Sequence, residues 1–309
     1  MGVNKTLIAL PIYHLRNSKL IDFFRNCNDD ILKNFDITIF TCHDDTTDYS
    51  YIINQKITQQ NIYIPYDENA DKYFCAISYK RQQILKYAKD KGYKYCVMID
   101  DDINPVTAKI TPDSKRTTSD SYAHVKINII DNINKMIQVA DELNSSFTSC
   151  QTMMYLSFSK PETIKINERV NCMQFYMINV KDIFDNDISY SYNEQVTDDI
   201  DIALQILQHG LKCVTLLDYA YKEDNPDIYK STIHENIRAR EMQHIGIFKK
   251  WHTSLYLDKH GIIRTKMKWI KYFNTFELPE MNKFQKEVLE LVENNAPYEV
   301  IYNKLLNKK

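Results

Sequence analysis

Apolar runs bounded by polar turns alternate with segments of helical spacing through the first hundred residues. Thr6–Ile12 predicts a buried strand, and Ser18–Leu32 sets Leu20, Phe23, Phe24 and Ile31 at helical intervals. Ile37–Cys42 predicts a second strand and Asn61–Pro65 a short third. Ser78 has N-cap chemistry and Gly92 C-cap chemistry, which predicts a helix between them with Ile77, Ile84, Leu85 and Ala88 on one face. Tyr95–Ile99 is a continuous apolar strand that runs directly into Asp100. This alternation implies parallel pairing with right-handed crossovers, and unbroken apolar strands imply a sheet covered on both faces.

Beyond Asp102 the pattern changes. Residues 104–124 are polar and turn-rich and predict a mobile loop, followed by a helix over Lys126–Leu143. Phe147–Phe158 and Cys172–Val180 predict strands. A helix from Thr197 to His209, closed by Gly210, precedes a strand at Cys213–Leu217. After Pro279 come two amphipathic helices split near Pro297. The expected architecture is an α/β domain over residues 1–275, a mixed but mainly parallel sheet flanked by helices, with a helical hairpin over 276–309.

Composition narrows the function. A hydrophobic share of 44% and a charged share of 26% are ordinary for a globular protein. The early apolar run Leu7–Ile12 is too short for a membrane span, so no membrane partner is expected. Seven cysteines without a Cys-x-x-Cys pair predict reduced thiols and a cytoplasmic location. Only five glycines are present, and no glycine-rich phosphate loop occurs. If phosphates bind, a metal ion must supply much of the neutralising charge. Net charge is −2, yet residues 249–272 carry Lys249, Lys250, Lys259, Arg264, Lys266, Lys268 and Lys271 against Asp258 alone. Trp251, Tyr256, Trp269 and Tyr272 are interleaved there, a pattern that serves either double-stranded DNA or a solvated face over an aromatic core.

Two carboxylate clusters carry the chemistry. A buried strand delivers Asp100-Asp101-Asp102 at its C-terminal end, where α/β sheets place ligands. Alternation along an extended chain would point Asp100 and Asp102 one way and Asp101 the other. Two hard oxygen ligands on one side suit Mn²⁺ or Mg²⁺. The second cluster, Asp198-Asp199-Ile-Asp201, opens the later helix behind Thr197 as a candidate cap. A carboxylate at that helix start, facing a metal-bound diphosphate, is placed to take a proton from an acceptor hydroxyl.

The first strand, the carboxylate run near residue 100 and the later Asp-Asp-x-Asp-x-x-Leu helix resemble the GT-A glycosyltransferases. The resemblance implies a Rossmann-like nucleotide-diphospho-sugar transferase fold. It implies that Asp100 and Asp102 form a DxD motif holding a divalent ion, with a late histidine, here His244, completing the metal shell. It implies that Asp199, or Asp198, is the base, with Asp where the family commonly has Glu. Pro11, Tyr13, Arg16, Asp44, Arg81 and Asp101 fall at positions that bind the nucleotide and its phosphates, and a UDP-sugar is the favoured donor. Ser78-Tyr-Lys-Arg81, the Asp-Asp-Asp-Ile run, Gln174 and Asp198–Leu204 are similar to the TET-associated glycosyltransferases within that fold. Those are largely viral enzymes, which implies hydroxymethylated pyrimidines in DNA as acceptor and the host cytoplasm as location. A glycan or protein acceptor is the alternative, since the first 248 residues are acidic overall. A sugar-phosphate nucleotidyltransferase would need glycines after the first strand, and Leu7–Arg16 has none. A non-catalytic nucleic-acid-binding protein would not need two intact carboxylate clusters.

Overall fold

The computed structural model describes residues 5–12, 19–64, 76–110, 116–118, 121–122, 124–153, 164–171, 174–222 and 229–308. Its first half comprises β1 (Thr6–Pro11), α1 (Lys19–Asn26), α2 (Asp29–Leu32), β2 (Phe35–Cys42), β3 (Ile57–Ile62), α3 (Ala76–Asp90) and β4 (Tyr95–Ile99). Next come β5 (Val106–Lys109), the small hairpin β6 (Arg116–Thr118) and β7 (Ser121–Tyr122), β8 (Val125–Asn128), α4 (Ile129–Leu143), β9 (Ser145–Thr152) and β10 (Ile164–Ile166). Then follow β11 (Phe175–Asn179), α5 (Val180–Asp185), α6 (Asp198–Gln208), β12 (Lys212–Tyr221) and the long α7 (Tyr229–Trp251). The hairpin β13 (Ser254–Leu257) and β14 (Ile263–Lys266) leads to α8 (Lys283–Glu293) and α9 (Tyr298–Leu306).

One sheet of ten strands organises the molecule in the order β3-β2-β1-β4-β11-β9-β12-β5-β8, with β10 added on β12. Strands β3, β2, β1 and β4 are mutually parallel, as the alternation predicts. Strand β11 enters antiparallel between β4 and β9, and β12 runs parallel to β9. Both faces are covered. Leu7, Ala9 and Met98 pack with Ile84 and Leu85 of α3 and Ile202 and Ile206 of α6. Ile8, Leu10 and Val97 pack on the other side with Leu20 and Phe24 of α1 and Ile133 and Met136 of α4. Each such fully buried Val, Leu, Ile, Phe or Met side chain contributes about 1.5–3 kcal/mol. A third cluster joins Ile245 and Phe248 of α7 to Leu255, Ile263, Val288 and Ile301.

Several local expectations are corrected. The third strand lies at Ile57–Ile62, earlier than Asn61–Pro65, because its polar Gln59, Gln60 and Asn61 sit on the sheet's edge and give no apolar signal. The helix expected to start at Ser78 starts at Ala76; Ser78 is buried inside it and Ile77 is exposed. Part of the expected loop over 104–124 is strand. β5 pairs with both β12 and β8, and Asn104 N–H donates to the Lys222 carbonyl at 2.8 Å. Of the strand expected over Phe147–Phe158 the structure shows the part up to Thr152, and residues 154–158 lie outside the described residues. Among the described residues no helix is long and apolar enough to cross a membrane.

Candidate active site

Strand β4 ends at Ile99 and hands the chain to a turn, closed by the Ile103 N–H donating to the Asp100 carbonyl at 3.2 Å. The alternation argument for Asp100 and Asp102 therefore stops one residue early. What sorts the three carboxylates is the turn, which leaves Asp102 buried and Asp100 and Asp101 half-buried. Across from Asp100, the chain enters β11 through Gln174, whose carbonyl accepts the Asp100 N–H at 2.9 Å.

Arg81 joins the two clusters. From the middle of α3 its guanidinium donates through Nη1 to Asp198 Oδ2 at 2.8 Å and through Nη2 to Asp100 Oδ1 at 3.2 Å. The residue is only 6% exposed, so this is a buried fork between two carboxylates. Its carbon lies 5.8 Å from the centre of the Tyr176 ring, and Tyr176 shares a 2.7 Å hydrogen bond with Tyr190. Next to it, Lys80 reaches the Ile12 carbonyl at 2.9 Å and ties α3 to the end of β1. Arg81, expected at the phosphates, bonds Asp198 and Asp100.

The charge balance is uneven. Burial pushes the Asp100 carboxyl up to about 6, Arg81 pulls the other way, and Asp102 and Asp101 push up again. Asp199 is pushed up to about 7 by burial and then by Asp198, against the pull of Arg81. Asp100 and Asp198 thus bond the same guanidinium, and Asp199 lies within its field. Thr197 stands at the N-cap position of α6 but its side chain makes no capping bond; its Oγ1 is buried without a partner among the described residues. Asp199 instead bonds the Ile200 N–H at 2.8 Å.

Asp201, one turn into α6, has a different job. It is fully buried and accepts from Ser191 Oγ at 2.6 Å, Gln205 Nε2 at 2.8 Å, Trp251 Nε1 at 2.7 Å and Lys250 Nζ at 3.1 Å. Those bonds pin α6 to the preceding loop and to the end of α7. Gly246 completes the seat: a Cβ there would run into the Gln195 carbonyl, so α7 packs on the loop backbone only because it carries glycine. Sequence reasoning missed both supports. A glycine inside a long helix was the available signal for the second.

The remaining expectations divide. Pro11 is buried at the end of β1, and Asp44 is exposed in the turn after β2. Tyr13 and Arg16 lie outside the described residues. His244 sits on α7, its Nδ1 3.1 Å from Thr265 Oγ1 and its Nε2 3.5 Å from Arg264. Burial, then Arg264 and Arg240, push its pKa down to about 4. Among the described residues no three His, Cys, Asp or Glu side chains converge as a metal group, so His244 does not join Asp100 and Asp102. In the basic stretch Trp251 and Tyr272 are buried in the core, and stacking of bases on those two rings is ruled out. Lys249, Lys259, Lys266, Lys268 and Lys271 remain exposed.

No curated protein matches the chain in sequence. Among solved structures, a mannosyltransferase from Pyrobaculum calidifontis, in complex with GDP-Man and Mn²⁺, aligns with a TM-score of 0.51 at 12% identity. The alignment covers 80% of this chain and 63% of that one. At this identity the likeness speaks to fold alone, and the fold is GT-A. TarS from S. aureus, in complex with UDP-GlcNAc, aligns at 13% identity and a TM-score of 0.46, over 79% of this chain and 66% of its own. GalNAc-T7 with UDP, GalNAc and Mn²⁺ aligns at 8% identity and 0.46, over 72% and 44%. The chain thus spans two thirds or less of the length of each of these three. The model of the TET-associated glycosyltransferase family matches residues 37–227, which is more than half of the chain and includes both carboxylate clusters, and the chain belongs to that glycosyltransferase family.

Proposed function

We propose that the protein transfers a sugar from a nucleotide diphosphate, a UDP-sugar above others, to a hydroxyl of an acceptor, with a hydroxymethylated pyrimidine in DNA as that acceptor. The observation that carries the reading is the pair of carboxylate clusters brought together through Arg81. The donor set fits Mn²⁺ or Mg²⁺: three carboxylates crowd the end of one strand, and burial and the acidic neighbours Asp102 and Asp101 raise the Asp100 pKa, a cost that a divalent ion relieves. Asp100 and Asp102 would supply two hard oxygens, with diphosphate and water oxygens as the other ligands, a composition suited to Mg²⁺. When bound, the ion supplies positive charge to the departing diphosphate.

The chain's own residues do the rest. Arg81 holds Asp100 and Asp198 in fixed relation and adds positive charge beside the leaving group. Asp199 takes the acceptor hydroxyl's proton; its raised pKa, from burial and then Asp198, makes it a stronger base than an exposed aspartate. Asp201 and Gly246 keep the start of α6 in place. Asp44 and Pro11 belong to the nucleoside end, beside the ends of β2 and β1. The exposed lysines of residues 249–271 attract the phosphate backbone of double-stranded DNA, a contact that weakens with salt. Residues 1–275 form the catalytic unit and 276–309 a helical appendage.

The test is incubation with UDP-, GDP-, ADP- and CDP-sugars, Mn²⁺ and DNA containing hydroxymethylcytosine or hydroxymethyluracil, followed by mass spectrometry of the digested nucleosides. A hexose or pentose mass on the modified base supports the reading. Donor turnover without any DNA product moves the acceptor to a glycan or protein, and no donor turnover at all overturns the proposal.

A further inference from the structure

Gln174 is the cross-strand neighbour of Asp100. Its carbonyl accepts the Asp100 N–H at 2.9 Å, one residue before β11 pairs Phe175 with Ile99. Its backbone is held at φ 43°, in the left-handed region that side chains other than glycine, asparagine and aspartate seldom occupy. Its carboxamide oxygen is buried and has no hydrogen-bond partner among the described residues. Strain and an unsatisfied polar atom at the same residue, next to the first carboxylate of the site, point to a ligand.

The position decides which ligand. Asp100 belongs to the proposed metal and diphosphate site, and the Gln174 backbone bonds it directly, so the reacting end of the donor lies near Gln174. Thr197, beside Asp198, presents a second buried hydroxyl oxygen without a partner among the described residues. Both groups are uncharged and polar, the chemistry that recognises hydroxyls rather than phosphates. A sugar hydroxyl donates and accepts, so it satisfies the carboxamide in either of its two orientations.

We propose that Gln174 is a specificity-determining residue whose carboxamide hydrogen-bonds a hydroxyl of the sugar being transferred. The assignment rests on the donor-site reading above. It sets sugar affinity without setting affinity for the nucleoside diphosphate, and that separation makes it testable.

The experiment is calorimetry with Mn²⁺ on the full chain, using the best-binding member of UDP-, GDP-, ADP- and CDP-glucose and its matching nucleoside diphosphate. Wild type is compared with Gln174→Gly, which keeps the left-handed backbone, and Gln174→Asn, which keeps a shorter amide. The ratio of the two dissociation constants is expected to shift about tenfold against the sugar nucleotide in Gln174→Gly and less in Gln174→Asn, each fold of ten being about 1.4 kcal/mol. Diphosphate affinity stays within about twofold of wild type. An unchanged ratio, or a parallel loss of both affinities, overturns the assignment. Wild-type protein that binds none of the nucleotides overturns the donor-site reading itself, and this assignment with it.

Discussion

Replacing Arg81 with methionine removes the one guanidinium between Asp100 and Asp198 while roughly keeping side-chain volume. Both partners are largely shielded, with side-chain exposures of 27% and 11%, so water compensates only partly for the loss. Breaking a buried ion pair by removing one partner costs about 3–5 kcal/mol. Unfolding entropy near 2.1 cal/mol/K per residue gives about 0.65 kcal/mol/K for 309 residues. The expected fall in Tm is therefore about 5–8 °C at pH 8. The sign with pH follows from the carboxylates. Burial already raises Asp100 to about 6 against the pull of Arg81, and without that pull it rises further. A carboxyl raised in the folded state contributes stability that is present at low pH and lost as pH rises through its folded pKa. The variant's deficit is thus smaller at pH 5 than at pH 8. Mn²⁺, replacing the missing positive charge, should raise the variant's Tm more than the wild type's. The assay is a calorimetric or fluorescence melt at the two pH values with and without Mn²⁺. A deficit under about 2 °C at pH 8, or one equal at both pH values, would refute the view of Arg81 as the charge that holds the clusters together.

Asp199→Asn should bind the sugar nucleotide as wild type does and lose transfer by about 10²–10⁴-fold, read in a single-turnover assay; wild-type turnover would remove Asp199 as base. With Asp199 raised to about 7, transfer should climb as pH rises from 6 to 8 and level off above, and a flat profile over that window would count against the assignment. Gly246→Ala forces a Cβ against the Gln195 carbonyl and should cost about 1–3 kcal/mol in denaturant melts. Because the displaced loop leads into Asp198 and Asp199, transfer should fall more than donor affinity. Equal stability to wild type would show that the loop yields without penalty.

The parallel half of the sheet was legible because buried strands such as Leu7–Leu10 and Val97–Ile99 are apolar at every position. The edge strand Ile57–Ile62 was not, since its exposed positions carry polar residues that read as loop, and four-residue β5 was not, since it buries Thr107 and exposes Val106 and so shows no apolar run. The two carboxylate clusters stood out by residue type and by their place at element ends. What connects them did not: Arg81 and Asp198 are separated by 117 positions, and no periodicity links them. The basic, aromatic stretch misled in part. Trp251 and Lys250 support Asp201 from within the fold, and a sequence cannot show whether an aromatic ring faces a core or a ligand.

The central claim is that Asp100 and Asp102 bind a nucleotide-sugar through a divalent ion. The most direct measurement is calorimetric titration of UDP-, GDP-, ADP- and CDP-sugars into wild type and Asp102→Asn, with Mn²⁺ and with chelator. The account predicts that wild type binds one of these donors with Mn²⁺, that chelator abolishes the binding, and that Asp102→Asn loses the metal-dependent part while melting as a folded protein. Donor binding that is indifferent to both chelator and Asp102→Asn would contradict it.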